Sequence, residues 1–261
     1  MKRRLLLAAP LAAPLLTLAS PAPAQRAPLA ATPLSRMDAK WWAERHAAKL
    51  RELRAGRVDL LWIGDSITQD WEKSGPPDWQ DFRPAWNRFY GGRHAVNLGF
   101  KGDATAHLLW RLRNGQLDTP APKAAILLIG ANNFGRLRWT VDDSLKGHDA
   151  CVAEIRRRHP AAKLLVLSVL PSDRGDWTTQ ATRGMNQGLA QRYAGGKVAG
   201  IAWADATPLF EKNGTIDRTQ YYDSHLRPPE PSIHPTAQAH ARLAALIEPQ
   251  VAAMLGDNPR T

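Results

Sequence analysis

Apolar residues in this chain collect into five short continuous runs: VDLLWI (58–63), HAVNLGF (94–100), KAAILLIG (123–130), KLLVLSVL (163–170) and VAGIAWAD (198–205). None alternates strictly between apolar and polar. Strands of that kind are buried on both faces, as in a parallel sheet covered by helices. Between and around them lie stretches with helical spacing. Residues 38–55 are expected to be a helix capped by Asp38 and stopped by Gly56, 141–159 a helix ended by Pro160, and 178–194 a helix weakened at Gly184 and Gly188. A closing helix is expected over 235–255, with Thr236 as its cap and Pro249 bending it. Strands that alternate with helices predict a single three-layer α/β domain with five parallel strands, over residues 38–257.

In open sheets of this kind ligands bind beyond the carboxyl ends of the strands, so the polar residues there carry the chemistry. The first strand runs into Gly64-Asp65-Ser66. The second is followed by Gly99, Gly102 and Asp103, and the third by Gly130-Ala131-Asn132-Asn133. Beyond the fifth come Asp205 and an irregular stretch with Asp223, His225 and Glu230, then His234-Pro235 before the last helix. Acyl transfer requires a nucleophilic oxygen, a base and donors for a developing oxyanion. Ser66 can supply the oxygen and a histidine before the last helix the base; the N–H groups of Ser66 and Gly102 and the Asn132 amide are the candidate donors. Each piece alone also reads as a turn, a helix cap or a loop residue. Their appearance at four strand ends, in order, is what favours a site.

Composition narrows the setting. With 261 residues and 44% hydrophobic content the chain can bury a sizeable core. Lys2, Arg3 and Arg4 precede an apolar stretch broken by Pro10 and Pro14, then Ala22-Pro23-Ala24. That is the order of a secretory leader cut after Ala24, which places the mature chain in a periplasm or outside the cell. Residues 25–37, rich in Pro and Ala, are expected to be a flexible lead-in. A lone cysteine, Cys151, excludes an intrachain disulfide and a Cys-rich metal motif; a helical core position is expected for it. The formal net charge is +11, but the basic residues are scattered and the densest run is Arg156-Arg157-Arg158. Without interleaved aromatics or a nucleic-acid motif, this reads as a solvated basic face and no nucleic-acid partner is expected. No metal or cofactor is expected, and no stable membrane insertion.

The segments "IGDSITQDW", "NLGFKGDATAHLLWRLRNGQL", "ILLIGANNFGR" and "IHPTAQAHARLAALI" resemble the four sequence blocks of the GDSL/SGNH hydrolases. The second and third are most similar to those of platelet-activating-factor acetylhydrolase catalytic subunits. The resemblance implies a flavodoxin-like α/β/α sandwich and a carboxylic ester hydrolase with Ser66 as nucleophile. It further implies an oxyanion hole from Ser66, Gly102 and Asn132, and His234 as general base. Asp65 is expected to brace its loop, and Asp103 to cap the following helix.

The last block departs from the family pattern, which places an acid three residues before the histidine; Pro231 stands there. Asp223 is the preferred acid, because "NGTIDRTQYYDSHL" resembles the stretch leading into the family's aspartate, with "LRPPEPS" as an insertion. Glu230 is the alternative, a dyad held by a backbone carbonyl a third option, and His225 the rival base. The expected activity is hydrolysis of short acyl, foremost acetyl, oxygen esters through an acyl-serine intermediate, on a small-molecule or polysaccharide substrate. A lysophospholipase or lipid esterase, a non-catalytic envelope polysaccharide-binding protein and an acyltransferase are the alternatives. Trp71, Trp79, Trp86, Trp139 and Trp177 are candidates to stack on sugar rings or line an acyl pocket. Trp62 is expected in the core, and His107, His148 and His240 in packing or surface roles.

Overall fold

The computed structural model describes residues 27–75 and 80–261. The expected leader and Trp79 lie outside the described residues. Five parallel strands form one sheet: β1 (Leu60–Gly64), β2 (Ala95–Gly99), β3 (Ala124–Leu128), β4 (Lys163–Leu167) and β5 (Ile201–Ala204), in the order β2-β1-β3-β4-β5. The helices are α1 (Lys40–Ala55), α2 (Ser66–Gln69), α3 (Arg83–Phe89), α4 (Thr105–Arg111), α5 (Ala131–Gly135), α6 (Val141–Arg158), α7 (Asp176–Tyr193) and α8 (Ala237–Leu255).

The continuous apolar runs are explained by two cores, one on each face. Along β1, Leu61 and Ile63 point into a cluster with residues of α1, α4, α6 and α7. Leu60 and Trp62 point the other way, into a cluster with α3 and α8. The two-residue side-chain period thus survives inside an unbroken apolar run, because both faces are covered. Trp62 is fully buried, and Cys151 is a buried core residue on α6 whose thiol faces the Thr105 carbonyl.

Side-chain caps hold some helix starts, and two expected caps are not used. Thr140 caps α6 by accepting from the Asp143 N–H, and Thr236 caps α8 by accepting from Ala239. At α1 the cap is Ala39, with no side-chain bond, and Asp38 sits in the preceding turn. Asp103 does not cap α4 either. It is fully buried as an ionic hub that accepts from Trp42 Nε1 at 2.9 Å and pairs with Arg36 at 2.8 Å and Arg111 at 2.7 Å.

The expected flexible lead-in is packed over residues 27–37. Leu29–Ala31 form a short turn against α6, with Ala30 buried. The Thr105 hydroxyl donates to the Ala30 carbonyl at 2.9 Å, and the Leu34 N–H to that of Ala106 at 3.1 Å. Small side chains at Ala30 and Gly147 let the two backbones approach, so a composition that reads as flexible serves close packing instead.

Candidate active site

The site grows from the aligned ends of β2, β1 and β3. In register, Gly64 lies opposite Gly99 on one side and Leu128 on the other. β1 is followed by β2 on one flank, and the chain then crosses to β3 on the other. The switch in strand order therefore opens a crevice where loops diverge. Ser66, Gly102 and Asn132 follow these three ends.

The turn after β1 needs a glycine. A Cβ on Gly64 would fall 2.1 Å from Thr68 Oγ1 and 2.4 Å from the Leu128 carbonyl. Asp65 caps α2 by accepting from the Ile67 N–H at 3.0 Å, which fixes Ser66 as the first helical residue. Asp65 therefore braces the loop. Burial pushes its carboxyl up to about 7, against the Ile67 N–H and the charge of His234, which pull it down. His240, expected in a packing role, is fully buried on α8 and bonds the Ile67 carbonyl at 2.9 Å. It ties the last helix to the serine turn.

His234 meets Ser66 across the crevice, with its Nε2 3.1 Å from Ser66 Oγ. On its far side Nδ1 lies 2.9 Å from Asp223 Oδ1. Asp223 Oδ2 also accepts the main-chain N–H groups of Ile233, at 2.9 Å, and of His234. Burial alone would raise the Asp223 carboxyl, but the His234 ring and these two amides hold it below the usual carboxylate range. A carboxylate on Nδ1 sets the tautomer with Nδ1 protonated and leaves the Nε2 lone pair to accept the serine proton. The Tyr222 ring stacks on the imidazole, centroids 5.5 Å apart and planes 17° off parallel.

The insertion between acid and base does not separate them, because the flanking chain pairs with itself. The Tyr222 N–H donates to the His234 carbonyl at 3.0 Å and the Thr236 N–H to Gln220 at 2.8 Å, around a bridge between Tyr221 and Pro235. Residues 226–232 loop out from this ladder. Glu230 is not the partner of the imidazole: it bonds Asp223 only through its backbone N–H. The His225 ring makes no hydrogen bond or ion pair among the described residues, and with Glu230 it lines a separate cleft of about 470 Å³.

On the opposite side, Asn132 is 3% exposed and gives one amide hydrogen to the Asp103 carbonyl at 2.9 Å, leaving the other for a ligand. Gly102 has φ +76°, a conformation that favours glycine. Neither the Ser66 nor the Gly102 N–H has a partner among the described residues. Asn133 plays a different part, clasping Thr105 through its N–H at 3.0 Å and its hydroxyl at 2.9 Å.

The tryptophans divide. Trp71 is buried, with Trp62 and Tyr90 as neighbours, and so is not free to stack on a substrate; Trp86 is half-buried against the same cluster. Trp139 is half-buried, and Trp177 is exposed at the start of α7, edge-on to Phe134 of α5. Sequence reading missed Tyr222 and two arginines, Arg136 and Arg174, that border the site. Arg174 follows β4, the one strand end for which no polar candidate was named, and the strand-end rule applied there would have found it.

The arrangement brings the Ser66 hydroxyl, the His234 imidazole and the Asp223 carboxylate into one line of contacts beyond the ends of a parallel sheet, with the Ser66 and Gly102 N–H groups and one Asn132 amide hydrogen left without a partner among the described residues. Compared with known proteins, the chain is 26% identical over 220 residues to the platelet-activating factor acetylhydrolase IB subunit alpha2 of Gallus gallus, covering 84% of this chain and 86% of that protein. Among solved structures it shares its fold with a GDSL-like lipase from Bacteroides thetaiotaomicron. That likeness has a TM-score of 0.60 at 16% identity, over 80% of this chain and 97% of the other. It shares it also with a carbohydrate acetylesterase from Sinorhizobium meliloti, with a TM-score of 0.54 at 19% identity, over 76% of this chain and 100% of the other. Residues 62–242 match the GDSL-like lipase/acylhydrolase family. A match of that length, on this fold, makes the chain a member of the GDSL-like lipase/acylhydrolase family and a carboxylic ester hydrolase.

Proposed function

We propose that the chain hydrolyses short acyl, foremost acetyl, oxygen esters by a two-step route through an acyl-Ser66 intermediate. The observation that carries this reading is the relay of contacts from Ser66 Oγ to His234 Nε2 at 3.1 Å and from His234 Nδ1 to Asp223 at 2.9 Å. His234 takes the Ser66 proton as the oxygen attacks the ester carbonyl. The tetrahedral oxyanion is received by the N–H groups of Ser66 and Gly102 and by the Asn132 amide. The imidazolium, steadied by Asp223, then gives its proton to the departing alcohol, and water repeats the sequence in the second step.

The acetyl preference is supported by likeness to a relative whose name is that of an acetylhydrolase. Export, read from the order of basic, apolar and small residues over 1–24, favours acetylated carbohydrate over lipid as the alcohol side. The test is a fluorophosphonate probe together with a screen of acetylated sugars, short-chain p-nitrophenyl esters and lysophospholipids. The expected result is covalent labelling at Ser66, lost in Ser66→Ala, and turnover of acetyl esters. A folded Ser66→Ala protein with undiminished hydrolysis would overturn the assignment.

A further inference from the structure

Two guanidinium groups border the oxyanion side of the crevice without a carboxylate between them. Arg136 follows α5, the helix that carries Asn132, and is exposed. Its guanidinium reaches over Gly102, where a Cβ would fall 2.6 Å from a terminal nitrogen. Its side chain has no hydrogen bond or ion pair among the described residues. Its basic neighbours differ: Arg36 and Arg111 both rest on Asp103. Arg174, in the loop after β4, crosses the same short helix and lies so close to Gly135 that a Cβ there would fall 1.9 Å from its terminal nitrogen. It donates to Ser172 Oγ and to the Ala131 carbonyl, both at 2.8 Å and both uncharged. Asp65 and Asp223 act on it electrostatically but neither forms an ion pair with it, since the first is bound to the Ile67 N–H and the second to His234. Arg136 lies near enough to repel it, and burial weakens its hold on its proton.

Two like charges held at one rim, one of them over Gly102, are relieved by an anion placed between them. Guanidinium matches the planar or tetrahedral oxygens of such a group with paired donors. We propose that Arg136 and Arg174 form an anion subsite beside the oxyanion hole, which selects esters whose alcohol part carries a carboxylate or a phosphate close to the scissile bond. This rests on Ser66 and its partners being the reacting site. The shared chemistry is an oxyanion within a few bonds of the ester, and the positive charge of the chain favours the approach of such substrates.

The test uses matched pairs: an acetylated methyl glucuronoside against its acetylated methyl glucoside, and acetylated glycerol 3-phosphate against acetylated glycerol. The expected result is a kcat/KM about ten- to a hundredfold higher for the charged member of at least one pair. The pair that responds identifies carboxylate or phosphate. In Arg136→Gln and Arg174→Gln the charged-to-neutral ratio should fall towards one, carried mainly by KM, while Arg136→Lys keeps part of it. Arg136 is exposed, so its variant reports even where Arg174→Gln fails to fold. A ratio near one in the unaltered enzyme, or one unchanged by Arg136→Gln, overturns the subsite while leaving Ser66 untouched. Loss of the reacting-site reading would show separately, as hydrolysis that survives Ser66→Ala.

Discussion

Asp223 grips His234 twice, through the ring at Nδ1 and through the main-chain N–H, with one carboxylate oxygen for each. A single side chain thus orients the imidazole and shapes the loop that presents it. Asp223→Asn keeps the volume but offers the imidazole an amide, which permits the wrong tautomer, so kcat should drop by ~10³–10⁴. Asp223→Ala should in addition cost ~1–3 kcal/mol, because two backbone N–H groups lose their acceptor. Steady-state kinetics on p-nitrophenyl acetate with urea unfolding separates these effects. Glu230→Gln and His225→Gln should retain activity within a few-fold, and a collapse in either would reassign the acid or the base.

Asn132 and Asn133 are adjacent, similarly buried and differently employed. Asn132→Ala removes a donor to the developing oxyanion and should lower kcat by ~10²–10³ with little change in KM. Asn133→Ala breaks the clasp on Thr105 and should register chiefly in stability, by ~1–3 kcal/mol. Rates and unfolding midpoints measured on both variants check the division; equal catalytic losses would contradict it.

Arg111 is fully buried and binds Asp103, the Leu98 carbonyl at 3.1 Å and the Gly64 carbonyl at 3.0 Å while lying over the Phe100 ring. It therefore joins the ends of β1 and β2 beneath the site. Arg111→Met removes the fully buried ionic partner of Asp103 and one donor from each of the two carbonyls, and a loss of ~3–5 kcal/mol is expected by denaturant unfolding. A loss under 1 kcal/mol would mean that Arg36 and Trp42 suffice to hold Asp103.

His148 is fully buried on α6, and neither ring nitrogen has a partner among the described residues. Burial pushes its pKa down to about 4, helped by Arg192 and opposed by Asp149. Since the folded value is the lower one, protonation favours the unfolded chain. Its contribution is whole above the unfolded value near 6.5 and is lost as pH falls towards 4, an effect of about 3 kcal/mol over that window. His148→Leu should flatten the stability profile between pH 6.5 and 4, read as urea midpoints for both proteins. Parallel profiles would show that the imidazole is not the source of acid lability.

Much of this protein is determined locally. The apolar runs gave five parallel strands because a strand covered on both faces has no solvent side to mark. The Thr236 cap and the Gly64-Asp65-Ser66 turn follow from the chemistry of a few adjacent residues, and the serine, glycine and asparagine sit one turn beyond strands whose register brings their ends together. Other features depend on distant partners. Whether Asp223 or Glu230 serves His234 turns on the ladder between residues 220–222 and 234–236, which no local spacing records. Asp103 is a buried ionic hub rather than a cap because Arg36, Trp42 and Arg111 reach it from three separate elements. Residues 27–37 are packed because Gly147 of α6 leaves room for them. Local sequence fixes backbone conformation and the pattern of burial; which buried charge finds which partner is a matter of long-range packing, and only the folded chain decides it.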